Sequence, residues 1–329
     1  TCPLPGSSSS PTLPIVPIQD IPSLYPLLGE EFQLAQPTVI FTQNLCSVCA
    51  PTEQDVQQVL LEQQDSYPTS CRVISLQPQT LPEVAATFVT IATACGIPER
   101  GLALQQQWLD QFQQLQTVIE THRDATLPLP RLLVLEWLDP PFDAGHWTYQ
   151  MMEYARVQNA HPNKCDPKSK QIPWSTIEGW DPDVILVGCC GFQLERNVQD
   201  ALEQAPQLKR LRAAQQDCVF ACNGNSYIAQ PGPSLLQGAV VMAKCAYYRQ
   251  PQVLDAIDQL GFLTREEEAT AWTIVHVMNK TTVPTTTTTT TTTAIVDIED
   301  ILLGGESKEG DGFSALHDQA CQEGKHTYT

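Results

Sequence analysis

The sequence predicts an α/β protein built on parallel sheets, and three observations carry that expectation. Short apolar runs of strand length recur at Thr38–Phe41, Cys71–Leu76, Arg131–Leu138, Val184–Val187 and Cys218–Cys222. Longer stretches with apolar residues at helical spacing lie between them. The two kinds of segment alternate, which implies parallel strands covered on both faces. Ligands of such sheets gather at the carboxyl ends of the strands. Here those ends carry residues 43–49, 136–147, 188–196 and 223–227.

The chain has 329 residues, enough for two domains or one two-lobed domain with a substantial core. Its hydrophobic content of 42% is that of a soluble globular protein. A formal net charge of −19 argues against nucleic acid or an anionic membrane surface as partner. No apolar run approaches the ~20 residues that a membrane helix needs. The first residue is Thr1 and no basic-then-apolar signal stretch follows, so the sequence reads as a fragment or a processed form. Twelve cysteines are too sparse for a disulfide scaffold in so long a chain. Cys71, Cys95, Cys218 and Cys245 lie in apolar runs, where a thiol behaves as a small hydrophobe. Reduced, structural cysteines favour a cytoplasmic or organellar compartment.

Residues 1–17 are rich in Ser and Pro and read as a flexible lead-in, with a short helix expected between Ile18 and Gly29. The strand at 38–41 runs into Gln43 and the Cys46-Ser47-Val48-Cys49 loop, after which Pro51-Thr52 opens a helix to Glu62. The strand at 71–76 leads through Pro78 to Thr80, the expected cap of a helix ending near Gly96. Pro98 to Arg123 forms a long helix with Leu102, Leu104, Trp108, Leu109, Phe112, Leu115 and Ile119 on one broad face, as a helix spanning two lobes requires. Asp139-Pro140-Pro141 breaks the strand at 131–138, because proline cannot continue the ladder and restricts the residue before it. Ala144-Gly145 turns the backbone, and Thr148 caps a helix to residue 158. A polar loop at 159–171 precedes the strand at 184–187, which ends in Gly188-Cys189-Cys190-Gly191-Phe192. Leu194–Gln204 reads as helix, Asn223–Tyr227 as a turn after the strand at 218–222, and Pro231-Gly232-Pro233 introduces a helix at 234–248. Beyond Lys280 come nine consecutive threonines, Thr285–Thr293, and an acidic 297–311 stretch expected to be disordered.

One segment concentrates chemistry. Glu136 to Trp147 presents Trp137, Asp139, Phe142, His146 and Trp147 around a single strand-to-helix turn. Two indoles, a phenyl ring, an imidazole and carboxylates at a strand's carboxyl end form either a binding cleft or a loop with its own aromatic cluster. His146 is either a metal ligand or hydrogen-bond donor, or a histidine satisfied within its loop. Cys46 and Cys49 make a CxxC, but a structural zinc site needs a second pair. The readings left for them are loop structure, ligand contact, and a redox or metal-handling pair activated at a helix start. Glu195-Arg196 is either a surface ion pair or a contact between lobes. There is no GxSxG, P-loop, GxGxxG or HExxH, and no enzyme is expected.

These stretches resemble the cobalamin- and iron-complex-binding family of substrate-binding proteins, the helical-backbone metal receptors that serve ABC transporters. The likeness points to the cobalamin-binding branch. It is carried in order by Thr42–Ala50, Val73–Leu81, Leu135–Trp147, Asp181–Leu186, Cys190–Arg196 and Pro231–Pro233. The resemblance implies two Rossmann-like lobes with parallel sheets, joined by the helix at 98–124 and clamping a ligand between them. The partial amino-terminal lobe is then 18–97, since the family's opening strand and helix have no counterpart before residue 18. The carboxyl-terminal lobe is 125–262, followed by a Thr-rich acidic linker at 263–312 and a truncated element at 313–329. Asn223, Gln230 and Ser234 stand where family members carry Asp, Arg and Arg. The Thr-rich extension suggests a eukaryotic relative, whereas the family itself is periplasmic. A permease is a partner where a bacterial-type transporter is present.

The implied function is non-catalytic binding of cobalamin or a related metal complex, with no intrinsic cofactor. The implied ligand-facing residues are Gln43, Cys46, Cys49, Glu136, Trp137, Asp139, Phe142, His146, Trp147, Cys190, Phe192, Asn225 and Tyr227. Trp137, Phe142 and Trp147 would stack on the macrocycle, with His146 as a polar contact or a ligand to its metal. The alternatives are a redox or metal-handling protein acting through Cys46 and Cys49, and an interaction scaffold with a vestigial site.

Overall fold

A computed structural model describes residues 27–44, 51–62, 71–162 and 168–278. They fall into two compact units that part between Ser75 and Leu76. The first carries α1 (Gly29–Ala35), β1 (Val39–Thr42), α2 (Glu53–Glu62) and β2 (Arg72–Ser75). β1 and β2 pair in parallel, with Val39 opposite Arg72 and Thr42 opposite Ser75. Asn44 Oδ1 accepts from Glu53 N at 3.0 Å, and Thr42 Oγ1 donates to Pro51 O at 2.9 Å. These bonds tie the end of β1 to the start of α2. Cys46 and Cys49 lie outside the described residues.

The second unit opens on α3 (Leu81–Ala94). Thr80 accepts from Glu83 N while the Glu83 carboxylate accepts from Thr80 N, a capping box that satisfies two donors at the helix start. α4 (Pro98–His122) begins on a proline, which suits a first turn whose N–H has no helical partner. The two helices cross closely at Gly101, where a Cβ would lie 2.6 Å from Ala92 Cβ and 2.8 Å from Phe88 O. α4 buries Trp108, Phe112, Leu115 and Ile119, whereas Leu102 and Leu104 are 50% and 43% exposed. The buried stripe runs through Gly101 and Trp108; Leu102 falls well off it and Leu104 to its edge.

The strands that follow build one sheet. β3 (Arg131–Leu138), β4 (Pro141–Asp143), α5 (Thr148–Tyr154), β5 (Gln158–Asn159), β6 (Lys170–Gln171), α6 (Trp174–Trp180) and β7 (Val184–Val187) come first. Then come α7 (Leu194–Glu203), two short turns α8 (Ala205–Leu208) and α9 (Arg212–Gln215), β8 (Val219–Cys222) and α10 (Gly224–Tyr227). α11 (Leu235–Ala246), α12 (Pro251–Asp258), α13 (Arg265–Ala271) and β9 (Trp272–Ile274) complete the unit. The sheet order is β6-β4-β3-β7-β8-β9, with β5 beside β3. β3, β7 and β8 are parallel, and every residue of β7 and β8 is buried, as a sheet covered on both faces demands. The expected α/β class holds, with antiparallel strands β4, β6 and β9 added around the parallel centre.

One local expectation holds and three are corrected. Asp139-Pro140-Pro141 ends β3 at Leu138 as expected, and the chain then turns back through a cis Asp139–Pro140 bond so that β4 pairs with β3, Phe142 opposite Trp137. Pro141 is tolerated there because it is the first residue of its strand. α5 stops at Tyr154 rather than residue 158, and Arg156 takes a left-handed φ of 54° before β5. Residues 223–227 close into α10, because Asn223 Oδ1 accepts from Ser226 N at 2.9 Å and caps it. The stretch just past residue 262 is not linker but α13 and β9, opened by a capping box between Thr264 and Glu267. Lys244 of α11, 3% exposed, pairs with Glu268 of α13 and with Asp258 at 2.5 Å, so a buried cation finds its counter-charges there. The lead-in, the helix expected from Ile18 (apart from its last residues), the threonine run and the acidic tail lie outside the described residues.

Candidate functional site

Because β3, β7 and β8 run the same way, the loops leaving them share one edge of the sheet. Backbone bonds stitch those loops together. Gly188 N donates to Leu135 O at 2.9 Å, Cys190 N to Glu136 O at 3.2 Å, and Asn225 N to Phe192 O at 3.1 Å. At Gly224 the crossing leaves no room for a side chain: a Cβ would lie 2.2 Å from Cys189 O.

Beneath this edge sits Asn197, 0% exposed on α7. Its Oδ1 accepts from Cys189 N at 3.0 Å, and its Nδ2 donates to Cys222 O at 2.8 Å and, at longer range, to Phe192 O at 3.4 Å. One amide therefore joins the exits of β7 and β8. Sequence reasoning missed it. The available signal was an amide on the apolar stripe of an amphipathic helix, between Leu194, Val198 and Ala201.

The aromatic residues divide by depth. Trp137 is 8% exposed; its indole N–H donates to Asp139 O at 3.1 Å, and its ring meets Phe192 at 5.2 Å between centroids. The Arg196 guanidinium lies 4.4 Å from the Phe192 centroid and is bonded to Asp200 at 2.7 Å. Trp147 is 4% exposed, and its N–H donates to Ile228 O at 2.8 Å. Both indoles thus form the floor of the rim and do not face out for stacking as expected; Phe142 is partly exposed on β4. The reason is the indole N–H, which in a buried ring needs an acceptor that these carbonyls supply.

His146 stands at the rim with a left-handed φ of 51° and is partly exposed. Its Nδ1 lies 2.9 Å from Gln79 Oε1, within hydrogen-bond distance, and its ring lies 5.5 Å from that of Trp147. Glu136 and Cys190 are partly exposed, and Asp139 is exposed at the hairpin tip. Asn225 Oδ1 accepts from Gln230 Nε2 at 3.3 Å. Burial, with the Glu267 carboxylate nearby, holds the Tyr227 hydroxyl above its ordinary pKa, so it presents a neutral phenol. Burial also pushes up the Cys189 and Cys222 thiols, which stay protonated and are unsuited to nucleophilic or metal chemistry. Asn223, Gln230 and Ser234 make local bonds: Asn223 caps α10 and donates to Gln193, Gln230 holds Asn225, and Ser234 Oγ donates to Ser226 O at 2.6 Å. Gln43 follows β1 in the first unit. Among the described residues no group of three His, Cys, Asp or Glu is placed to hold a metal ion, and no helix is long and apolar enough to cross a membrane.

Residues 30–225 match the family model described as periplasmic binding protein. No curated protein sequence matches the chain. Among solved structures, a periplasmic heme binding protein from Pseudomonas aeruginosa aligns with TM-score 0.54 and 16% identity, over 68% of this chain and 77% of that one. The periplasmic heme-binding protein RhuT from Roseiflexus sp. RS-1, in apo form, aligns with TM-score 0.52 and 20% identity, over 70% of this chain and 81% of that one. A possible iron-binding (periplasmic solute-binding) protein from Staphylococcus epidermidis gives 0.52 and 15%, over 67% and 80%. At such identities the likeness is one of fold.

Proposed function

Because the chain belongs to the periplasmic binding protein family, we propose that it is a non-catalytic receptor for a metal macrocycle, a corrinoid or a heme-like chelate. The observation that carries this reading is the rim at the carboxyl ends of β3 and β7. There the loops that carry a buried Trp137–Phe192 pair also present the partly exposed Phe142, His146, Glu136 and Cys190, with Phe142 opposite Trp137 in the β3–β4 pairing. A flat, largely apolar ligand gains most from an aromatic edge on a rigid floor, since aromatics bury much surface at little entropic cost. An imidazole and a carboxylate beside that edge suit the metal or the polar groups of such a ligand. Two of the aligned structures are of periplasmic heme-binding proteins, which supports a macrocycle over a bare ion. A transporter permease is the partner such a receptor serves. The redox alternative rests on Cys46 and Cys49, outside the described residues.

Titration of the full chain with hydroxocobalamin and, separately, with hemin tests the reading by visible absorption and calorimetry. Saturable binding of one of them, with a perturbed ligand spectrum, is expected. A flat calorimetric trace and an unchanged spectrum with both would sink it.

A further inference from the structure

We propose that Gln79 is a positioning residue that sets the ring tautomer and the aim of His146; this rests on His146 serving the binding proposed above. The two residues are 67 positions apart, yet Gln79 Oε1 lies 2.9 Å from His146 Nδ1. A carbonyl oxygen only accepts, so this contact favours the tautomer with the ring proton on Nδ1 and the basic lone pair on Nε2. Such an outer partner is what a ligating or accepting histidine needs, because it fixes the ring plane and raises the basicity of the opposite nitrogen.

Gln79 is itself held in place. Its N–H donates to Glu83 Oε2 at 2.6 Å, the carboxylate that also accepts from Thr80 N in the α3 capping box. Pro78, just before it, is buried. On the other side, His146 keeps a backbone φ of 51°, a region that non-glycine residues hold only with support from their surroundings. Its ring tilts 32° against that of Trp147, which is pinned through its own N–H to Ile228 O. Backbone, neighbouring indole and Gln79 therefore act together on one imidazole. A ring with its lone pair on Nε2 suits a metal centre with an exchangeable axial position, or an N–H or O–H donor. It does not suit a carboxylate.

The test uses the full chain with 15N-labelled histidine, the His146 ring signals being assigned by their loss in His146→Asn. At pH 8 the wild-type ring is expected as the Nδ1–H tautomer. In Gln79→Leu it should shift toward Nε2–H, whereas Gln79→Glu, which keeps an acceptor, should hold Nδ1–H. With hemin as probe, Gln79→Leu should lose about ten-fold or more in affinity, the usual effect of removing an outer partner, and Gln79→Glu should restore it. An unchanged His146 tautomer in Gln79→Leu overturns the inference whether or not hemin binds. Equal hemin affinity of wild type and Gln79→Leu also overturns it. If wild type binds neither hemin nor hydroxocobalamin, the receptor reading fails, while the ring signals still decide what Gln79 does.

Discussion

Replacing Asn197 with leucine removes one accepted and two donated hydrogen bonds from a fully buried place. The side chain is 0% exposed, and the residues whose backbone it serves, Cys189 and Cys222, are 1% and 0% exposed. Leucine fills a similar volume, so little of the cost comes from a cavity. The cost comes from Cys189 N–H, which loses its acceptor at 3.0 Å, and from Cys222 O, which loses a donor at 2.8 Å. Phe192 O is less affected, because it still accepts from Asn225 N at 3.1 Å. A stranded buried group costs about 1–3 kcal/mol, which puts Asn197→Leu at roughly 2–5 kcal/mol. Against a typical stability of about 5–15 kcal/mol that is a large share. In a unit of this size each kcal/mol lowers Tm by roughly 2–4 °C. Urea unfolding followed by tryptophan fluorescence, with calorimetry alongside, reads both quantities. Asn197→Asp serves as a second variant: it keeps the acceptor for Cys189 N but sets a buried carboxylate against Cys222 O. Its deficit should shrink as the pH falls and the carboxyl becomes a donor. A stability of Asn197→Leu within about 1 kcal/mol of wild type would refute the reasoning, since the loss of even one such bond costs that much.

Two further outcomes follow from the same structure. Tyr247 is 1% exposed, its hydroxyl donates to Arg156 O at 2.5 Å, and burial pushes its pKa up to about 12. An unfolded tyrosine titrates near 10, so the neutral phenol stabilises the fold below that pH and the contribution is lost as pH rises from about 10 to 12. Tyr247→Phe should start about 1 kcal/mol less stable at neutral pH and lose less than wild type over that alkaline range; parallel curves would contradict this. At the rim, Trp137→Ala should cost about 3–5 kcal/mol of stability as a buried aromatic and weaken hemin or hydroxocobalamin binding with it. Phe142→Ala should weaken binding with a smaller stability loss, and the reverse pattern in paired melting and titration experiments would show that the indole, not the phenyl ring, meets the ligand.

Where a signal is local, the sequence is legible. The strand at Val184–Val187 appears residue for residue, Thr80 caps α3 as its spacing with Glu83 implies, and the helix expected at 98–123 is α4. Short elements are another matter. β4 and β9 have three residues each, fewer than one period of a helix or two of a strand pattern, so neither leaves a periodic trace. The prolines end β3 as their chemistry implies, but that Pro141 also opens the next strand left no such trace.

By itself, then, the sequence determines the α/β alternation, the order of its main elements and the edge on which residues 136–147, 188–192 and 223–227 gather. These follow from apolar spacing, caps and turn residues acting over a few positions. It does not determine which side chains meet. Trp137 and Trp147 read as equal partners of Phe142 in sequence, yet depth in the fold separates them. Asn197 reads only as an amide on the apolar stripe of its helix, and becomes the joint between two strand exits when β7, α7 and β8 pack. Gln79 finds His146 across 67 residues. Such pairings were decided by tertiary structure, because burial and hydrogen-bond demand belong to the packed neighbourhood and not to the segment.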